Sequence, residues 1–194
     1  MEVDRSKYQI FCDLDGVLCD LIGGASKYIY EEAPDNASEN YRLFQQKARD
    51  FLGGKPLTQE NLNKTSSEFS QDTLNFFWRV MKDNRKLWMG LDWTPEGKRL
   101  WDYIKDFDPI ILSKPTDLQS VIGKKKWVKD NLGLTKEKVQ IRYDKTPYAQ
   151  YNGKTGILID DFKSNTSKFS EASGLSVLYR STDQAIKELK KMGF

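Results

Sequence analysis

The feature that most constrains the fold is a series of short, β-rich apolar runs separated for the most part by amphipathic helical segments. The runs are YQIFCDL (8–14), PIILS (109–113), VQIRY (139–143), GILID (156–160) and LSVLY (175–179). Each is nearly continuously apolar or β-branched, which is typical of strands covered on both faces. Their alternation with helices predicts an α/β fold with βαβ units and a Rossmann-like, doubly wound, largely parallel sheet.

Local end signals place several helices between and after these strands. Thr94 is predicted to be the N-cap of the first of them, with Pro95 at the first helical position. The last helix is predicted to begin at Ser181, which forms a capping-box pattern with Gln184. The basic run KKK at 124–126 is interpreted as a solvated helix face rather than a nucleic-acid contact.

One long interval, residues 22–92, has helix-like segments at 38–52 and 71–88 but no convincing strand. We interpret it as a helical insertion after the first strand, which leaves 1–21 plus 93–194 as the α/β core domain. The insertion and its exit are rich in aromatic side chains, namely Phe76, Phe77, Trp78, Trp88 and Trp93. Aromatic residues of this kind more often pack in a core than stack on a nucleobase, and both interpretations stay open.

Composition excludes several classes of protein. The chain has 194 residues, of which 38% are hydrophobic and 30% charged, and no apolar run approaches the length of a membrane span. The start MEVDRSKYQ lacks the layout of a signal peptide, and Cys12 and Cys19 fit reduced packing thiols, so we expect a cytoplasmic protein. The net charge of +3 is too small to indicate a nucleic-acid partner. Histidine is absent, which excludes Ser–His and Cys–His catalysis and histidine-ligated metals.

Polar side chains cluster where the predicted strands end, and ligands of open α/β sheets bind beyond those carboxyl ends. The candidates are Asp13 and Asp15 after the first strand, Ser113 at the end of the second, Lys145 after the third, and Asp160 and Asp161 at the end of the fourth. Carboxylates in this arrangement can hold a hard cation such as Mg²⁺. A carboxylate can also attack phosphorus, and a second carboxylate can act as general acid and base.

The remaining candidates suit a phosphate group. Ser113 can donate a hydrogen bond to a phosphate oxygen, and Lys145 supplies positive charge, with Lys154 as the reserve lysine. Gly16 in the turn after the first strand lets backbone amides approach a phosphate. The pattern as a whole predicts phosphate chemistry without histidine.

Four of these segments resemble, in order, the motifs of the haloacid dehalogenase-like (HAD) phosphohydrolases. DLDGVLCD resembles their opening motif, ILS ending at Ser113 the second, Lys145 the third, and LIDD the acidic fourth. KKKWVKDNLG, RYDKT and ILIDD are similar to the narrower 5'(3')-deoxyribonucleotidase branch. The resemblance implies a HAD-like core in which the insertion is a helical cap over the active site.

The resemblance also implies roles for individual residues. Asp13 would be the nucleophile and Asp15 the acid/base, with Mg²⁺ held by Asp13, the Asp15 carbonyl and Asp161, and with Asp160 in support. Which of Asp160 and Asp161 binds the ion directly is open. Lys114 departs from the branch, which has a small hydroxyl residue there, so we count Lys114 with Gly16, Ser113 and Lys145 as a substrate-binding candidate.

Three functions follow as hypotheses. The first is a Mg²⁺-dependent phosphomonoesterase that hydrolyses nucleoside or deoxynucleoside monophosphates through a phospho-aspartate, with no membrane or nucleic-acid partner. The second is a phosphatase of the same type that acts on nucleic-acid ends or sugar phosphates. The third is a catalytically silent HAD-like module that binds a nucleotide or a partner protein.

Overall fold

The computed structural model describes residues 3–33, 35, 39–57, 81 and 84–194. The chain forms two compact units. The first comprises Met1–Asp20, Trp93–Pro115 and Val128–Phe194, and the second comprises Leu21–Asp92 and Thr116–Trp127. That segment 22–92 is a cap over the active site stays a prediction.

The first unit is built on a largely parallel sheet. Its strands are β1 (Tyr8–Cys12), β2 (Ile110–Ser113), β3 (Val139–Ile141), β4 (Gln150–Tyr151), β5 (Lys154–Asp160) and β6 (Leu175–Leu178). Parallel pairing runs in the order β3-β2-β1-β5-β6, and the short β4 pairs antiparallel with the start of β5. The predicted α/β class and parallel Rossmann-type core are confirmed. The strand β4, which forms a hairpin with β5, was not predicted.

The pairing register brings acidic residues from distant parts of the chain together. Cys12 at the end of β1 lies opposite Ile159 of β5. The Asp13 backbone N–H then donates to the Ile159 carbonyl at 2.9 Å, which extends the ladder by one residue. Asp13 and Asp160 therefore leave the sheet at the same edge, as the carboxyl ends of parallel strands must.

The described helices are α1 (Leu21–Tyr30), α2 (Glu39–Leu52), α3 (Arg85–Met89), α4 (Gly97–Ile104), α5 (Leu118–Leu132), α6 (Lys163–Glu171) and α7 (Thr182–Lys191). The prediction of a helix over 38–52 is confirmed by α2. Most of the predicted helix 71–88 lies outside the described residues, as do Phe76, Phe77 and Trp78. Among the described helices, none has the length and apolarity needed to cross a membrane.

The predicted N-cap is confirmed for α7 and wrong for α4. Ser181 is the N-cap of α7, and its hydroxyl accepts from the Gln184 N–H at 3.3 Å. The prediction of Thr94 as an N-cap is wrong, because α4 begins two residues later with Glu96 as its N-cap. The Thr94 hydroxyl instead donates to the Val17 carbonyl at 2.8 Å, so a tertiary contact takes the group that would have capped the helix.

Aromatic side chains pack one face of the sheet in the first unit. Phe11 of β1 and Phe169 of α6 are fully buried, with ring centroids 6.4 Å apart in an edge-on arrangement. Gly174 lies so close that a Cβ there would be 2.5 Å from the Phe169 ring. This packing fixes α6 against β5, whose carboxyl end carries Asp160.

The second unit has its own core and corrects one prediction. Its buried cluster is Ala25, Ile29, Ala48, Leu52, Leu57 and Met81. Trp88 of α3 is buried and donates its indole N–H to the Met81 carbonyl at 3.0 Å, so it is a core residue. The interpretation of 124–126 as a solvated face is wrong for Lys124, which is buried with its ammonium 5.0 Å from the Trp88 ring centroid. The attraction between the ammonium and the ring offsets part of the free-energy cost of removing the lysine from water.

Phe169→Ala should lower the free energy of unfolding by about 3–5 kcal/mol, because it leaves a cavity in a closely packed core. Urea unfolding followed by circular dichroism measures the change. Leu175→Ala, which truncates a partly exposed side chain at the start of β6, is the control and should change stability by about 0.5 kcal/mol or less. Equal effects of the two substitutions would contradict the packing described here.

Candidate active site

Three carboxylates from two strands meet at the carboxyl edge of the sheet in the first unit. Asp13 follows β1, Asp160 ends β5, and Asp161 comes directly after it. One carboxylate oxygen from each lies within 4.8 Å of the other two. Like charges at this separation repel strongly in a buried setting, so the cluster requires positive charge.

Lys145 provides one such charge from within the protein. Its ammonium lies 3.1 Å from Asp13 Oδ2 and 2.6 Å from Asp160 Oδ2, and the side chain is buried. Burial lowers the pKa of Lys145, but the charges of Asp13 and Asp160 outweigh it and raise that pKa above its ordinary value. Lys145 is therefore a permanent cation that links the two carboxylates. The reserve candidate, Lys154, begins β5 and is placed at the strand end away from Asp160.

Asp160 has its oxygens occupied by protein donors. Besides Lys145, the Phe162 N–H donates to Oδ1 at 2.8 Å, and Asn165 Nδ2 lies 3.1 and 2.9 Å from the two oxygens. The residue is fully buried, which together with the Asp13 charge raises its pKa, while Lys145 opposes that rise. A carboxylate with this many donors is suited to orient Lys145.

Asn165 and Arg180 are site residues that sequence reasoning missed. Asn165 lies in the first turn of α6, and its amide holds Asp160. Arg180, two residues after β6, donates from Nη1 to the Asp161 carbonyl at 3.2 Å. Neither has a distinctive sequence signal: Arg180 comes shortly after a strand end and Asn165 lies in a helix, as many polar surface residues do.

The pKa of Asp161 is raised far above the ordinary value for an aspartate. Burial, followed by the charges of Asp13, Asp160 and Asp15, raises its pKa to about 7. In a protein at neutral pH such a group is poised between a proton and a cation.

Gly16 has no side chain, and this leaves space for the Asp161 carboxylate. Its φ is +74°, and a Cβ at this position would lie 2.2 Å from Asp161 Oδ2. Its N–H donates to the Cys19 carbonyl at 2.9 Å, so the amide serves the turn that carries Asp15. The structure therefore places Gly16 in the site, and the close approach it permits is that of a carboxylate.

The turn that carries Asp15 is held by backbone hydrogen bonds. The Leu14 carbonyl accepts from the N–H groups of Leu18 and Cys19, each at 2.8 Å. Leu14 itself donates its N–H to Asp13 Oδ1 at 2.8 Å. These bonds fix the direction in which the chain leaves β1, and they keep Asp15 near enough to Asp161 to raise its pKa.

The two predicted site residues at the end of β2, Ser113 and Lys114, lie in different environments. Ser113 is fully buried at the carboxyl end of the strand, with its carbonyl accepting from the Arg142 N–H at 2.9 Å. Lys114 is exposed. Hydrogen bonds from Thr146 lower the pKa of Asp144, and the positive charge of Lys114 lowers it further, which places Lys114 on the same side as the loop that carries Lys145.

The donor set fits a hard divalent cation. Asp13 and Asp161 offer carboxylate oxygens, and oxygen ligands of this kind are those that Mg²⁺ prefers. Burial and, after it, the charges of Asp13, Asp160 and Asp15 raise the pKa of Asp161, and a cation at this point would relieve the part that comes from those charges. Asp160 already accepts from three protein donors, which makes Asp161 the better direct ligand of the two.

Three solved structures are similar to this chain to different degrees. A hydrolase from Streptococcus pneumoniae TIGR4 is similar with a TM-score of 0.54 at 13% identity, covering 95% of this chain and 99% of that one. A dehalogenase has a TM-score of 0.46 at 11% identity, with 90% and 84% covered. A haloacid dehalogenase-like hydrolase, also from Streptococcus pneumoniae, has 0.41 at 15%, with 87% and 82% covered. The last two TM-scores are below 0.5 and do not establish a shared fold.

No family model matches the sequence, and a search of curated proteins found no relative. The likeness to the first hydrolase extends over nearly the whole of both chains and shows a shared Rossmann-type α/β fold, the class that the sequence predicts.

Gly16→Ala should abolish detectable Mg²⁺ binding, because the new methyl group would displace the Asp161 carboxylate. Isothermal titration calorimetry of the metal-free protein measures it. Gly153→Ala is a matched control, since Gly153 has the same φ of +74° but nothing within 4 Å of its Cβ position. Loss of binding in both variants would point to backbone strain rather than to the carboxylate.

Asp161→Asn should change how stability depends on pH when no divalent cation is present. A carboxyl whose pKa is about 7 in the folded protein and 3.8 in its ordinary state stabilises the fold when protonated. The wild type should therefore lose stability as pH rises from about 4 to 7, and the asparagine variant should lack that loss. By pH 8 the variant should be more stable by roughly 2–4 kcal/mol, since one pKa unit corresponds to 1.36 kcal/mol.

Urea unfolding between pH 5 and 8 in the presence of a chelator measures this difference. Parallel curves for the two proteins would contradict the assignment of the raised pKa to Asp161. Added Mg²⁺ should stabilise the wild type more than the variant at pH 8.

Proposed function

We propose that the protein is a Mg²⁺-dependent phosphomonoesterase that works through a phospho-aspartate on Asp13. The observation that carries the proposal is the Lys145 ammonium, which lies 3.1 Å from Asp13 and 2.6 Å from Asp160. The carboxylate of Asp161, whose pKa is raised to about 7, belongs to the same cluster. A nucleophilic carboxylate, a fixed cation and a cation-binding carboxylate at one sheet edge are what transfer of a phosphoryl group needs.

Asp13 is the nucleophile in this proposal. It is mostly buried at the end of β1, and its carboxylate is fixed on one side by the Leu14 N–H and on the other by Lys145. A carboxylate oxygen attacks phosphorus, the bond from phosphorus to the leaving oxygen breaks, and an acyl phosphate forms on Asp13. Lys145 offsets the negative charge that the phosphate brings to a site already rich in carboxylates.

Asp15 carries the protons. In the first step it gives a proton to the leaving oxygen, so that the alcohol departs neutral. In the second step it takes a proton from the water that attacks phosphorus, which releases inorganic phosphate and restores the Asp13 carboxylate. Asp15 lies two residues after the nucleophile, and the hydrogen-bonded turn from Leu14 to Cys19 fixes its backbone for both steps.

Mg²⁺, held by Asp13, Asp161 and the Asp15 carbonyl with Asp160 in support, would neutralise phosphate charge during transfer. The residues of this chain provide the ligands and their support. Gly16 leaves space for the Asp161 carboxylate, and Arg180 holds the Asp161 carbonyl.

Nucleoside and deoxynucleoside monophosphates are the substrates that we propose. The support is the resemblance of KKKWVKDNLG, RYDKT and ILIDD to the deoxyribonucleotidase branch. Phosphates on sugars or nucleic-acid ends would use the same chemistry, and the substrate panel below separates them. The closeness of Asp13, Lys145 and Asp161 favours an enzyme over a silent binding module, which would not need that arrangement.

Phosphate release from a panel of nucleoside monophosphates, deoxynucleoside monophosphates, sugar phosphates and an end-phosphorylated oligonucleotide tests the proposal, with and without Mg²⁺. We expect Mg²⁺-dependent release that Asp13→Asn lowers at least about a thousand-fold, as expected for a lost nucleophile. Asp106→Asn, at an exposed carboxylate in the 3₁₀-helix Lys105–Phe107, is the control and should retain activity.

Full activity of Asp13→Asn would overturn the nucleophile assignment. Release of phosphate from sugar phosphates or from the oligonucleotide alone would keep the chemistry and replace the proposed substrate. A folded wild type that binds Mg²⁺ but releases no phosphate from any of these compounds would favour the silent module.

A further inference from the structure

The residue that follows the acidic pair Asp160 and Asp161 in the chain is an exposed aromatic one. Phe162 follows Asp161 in the chain, and 60% of its surface is exposed. Trp88, one of the aromatic residues considered for base stacking, is instead 1% exposed in the second unit. Among the described residues, Phe162 is thus an aromatic residue of the first unit that is both exposed and next in the chain to the acidic cluster.

The site holds the backbone of Phe162 in place. Its N–H donates to Asp160 Oδ1 at 2.8 Å, and its carbonyl accepts from the N–H groups of Asn165 and Thr166 at 2.9 and 3.3 Å. The same Asp160 carboxylate binds Lys145. The backbone that carries the Phe162 ring is therefore bonded to the carboxylate that also binds Lys145.

A single exposed hydrophobic residue on a protein surface is ordinary and needs no explanation. Phe162 differs because it lies between Asp160 and Asn165, whose side chains are hydrogen-bonded to each other. Phe162 is also the N-cap residue of α6, where a polar side chain would ordinarily bond the free N–H groups of the first turn. A phenylalanine at this position gives up that capping bond and presents a flat apolar face to solvent.

Tyr143 is a second exposed aromatic residue at this edge, with 71% of its surface exposed. It lies two residues before Lys145, next to Asp144, whose carboxylate bonds Thr146. The backbone of Phe162 is bonded to a carboxylate of the cluster itself, so the observations favour Phe162.

We infer that Phe162 is a specificity-determining residue that contacts the flat aromatic part of the leaving group, a nucleobase, while Asp13 holds the phosphate. This inference rests on the proposed function and deepens it. Stacking on an aromatic ring tolerates different bases, because every base has a π face. Phe162 would then favour phosphate esters that carry a base over those that do not, without selecting among bases.

The test compares kcat/KM for a deoxynucleoside 5'-monophosphate with that for deoxyribose 5-phosphate, which lacks the base. In the wild type the ratio should favour the nucleotide. Phe162→Ala should lower that ratio about ten-fold, within the range for loss of one base–aromatic stack. Phe162→Trp should restore the ratio, and Phe162→Leu, which keeps apolar surface but not the ring, should not. Leu175→Ala, at the other end of β6 from Arg180, is the control and should leave it unchanged.

Equal loss for both substrates in Phe162→Ala would overturn the inference, because Phe162 would then serve the phosphate site in general. A collapse of the ratio in Tyr143→Ala with none in Phe162→Ala would overturn it as well. Hydrolysis of base-free phosphates alone by the wild type would also overturn it, while leaving the phospho-aspartate chemistry intact.

A binding measurement decides the inference separately from turnover. In the Asp13→Asn background, isothermal titration calorimetry with the same deoxynucleotide should show about ten-fold weaker binding when Phe162→Ala is added. Unchanged affinity in the double variant would overturn the inference even if the wild type were inactive.

Discussion

The ammonium of Lys145 is the interaction on which the site depends. Asp13 and Asp160 are brought side by side by the register of β1 and β5, and two buried carboxylates in that position would repel each other. Lys145 lies 3.1 Å from Asp13 and 2.6 Å from Asp160, and its positive charge offsets the repulsion between the two carboxylates at the end of the sheet. If one partner of such a buried group is removed, the others are left as uncompensated charge.

The single positive charge of Lys145 contacts Asp13 and Asp160 but leaves the charge of Asp161 without such a contact to it. Asp160 shares its charge among Lys145, Asn165 and the Phe162 N–H. Asp161 instead faces Asp13 and the glycine turn, and its pKa rises to about 7. A site with a fixed internal cation and one frustrated carboxylate is preorganised for a further cation and an anionic substrate, since both would relieve the remaining repulsion.

The fold class and the closeness of Asp13, Lys145 and Asp160 could be predicted because they follow from local pattern and parallel geometry. Apolar runs fixed the strands of the parallel sheet, and strand ends that share an edge brought Asp13, Lys145 and Asp160 together. The errors arise where a tertiary contact decides the outcome. Thr94 bonds Val17 instead of capping α4, and Lys124 is buried on the ring of Trp88. Asn165 and Arg180 gave no distinctive signal, since their roles depend on which atoms of Asp160 and Asp161 they reach.

The central claim is that Asp13 becomes covalently phosphorylated during turnover. Rapid acid quenching during hydrolysis of the best substrate of the panel, followed by peptide mass spectrometry, tests it most directly. The account predicts a phosphoryl group on Asp13 that appears only with Mg²⁺ and decays as phosphate is released. Steady turnover with no phosphoryl group on Asp13, or with one on another residue, would contradict it.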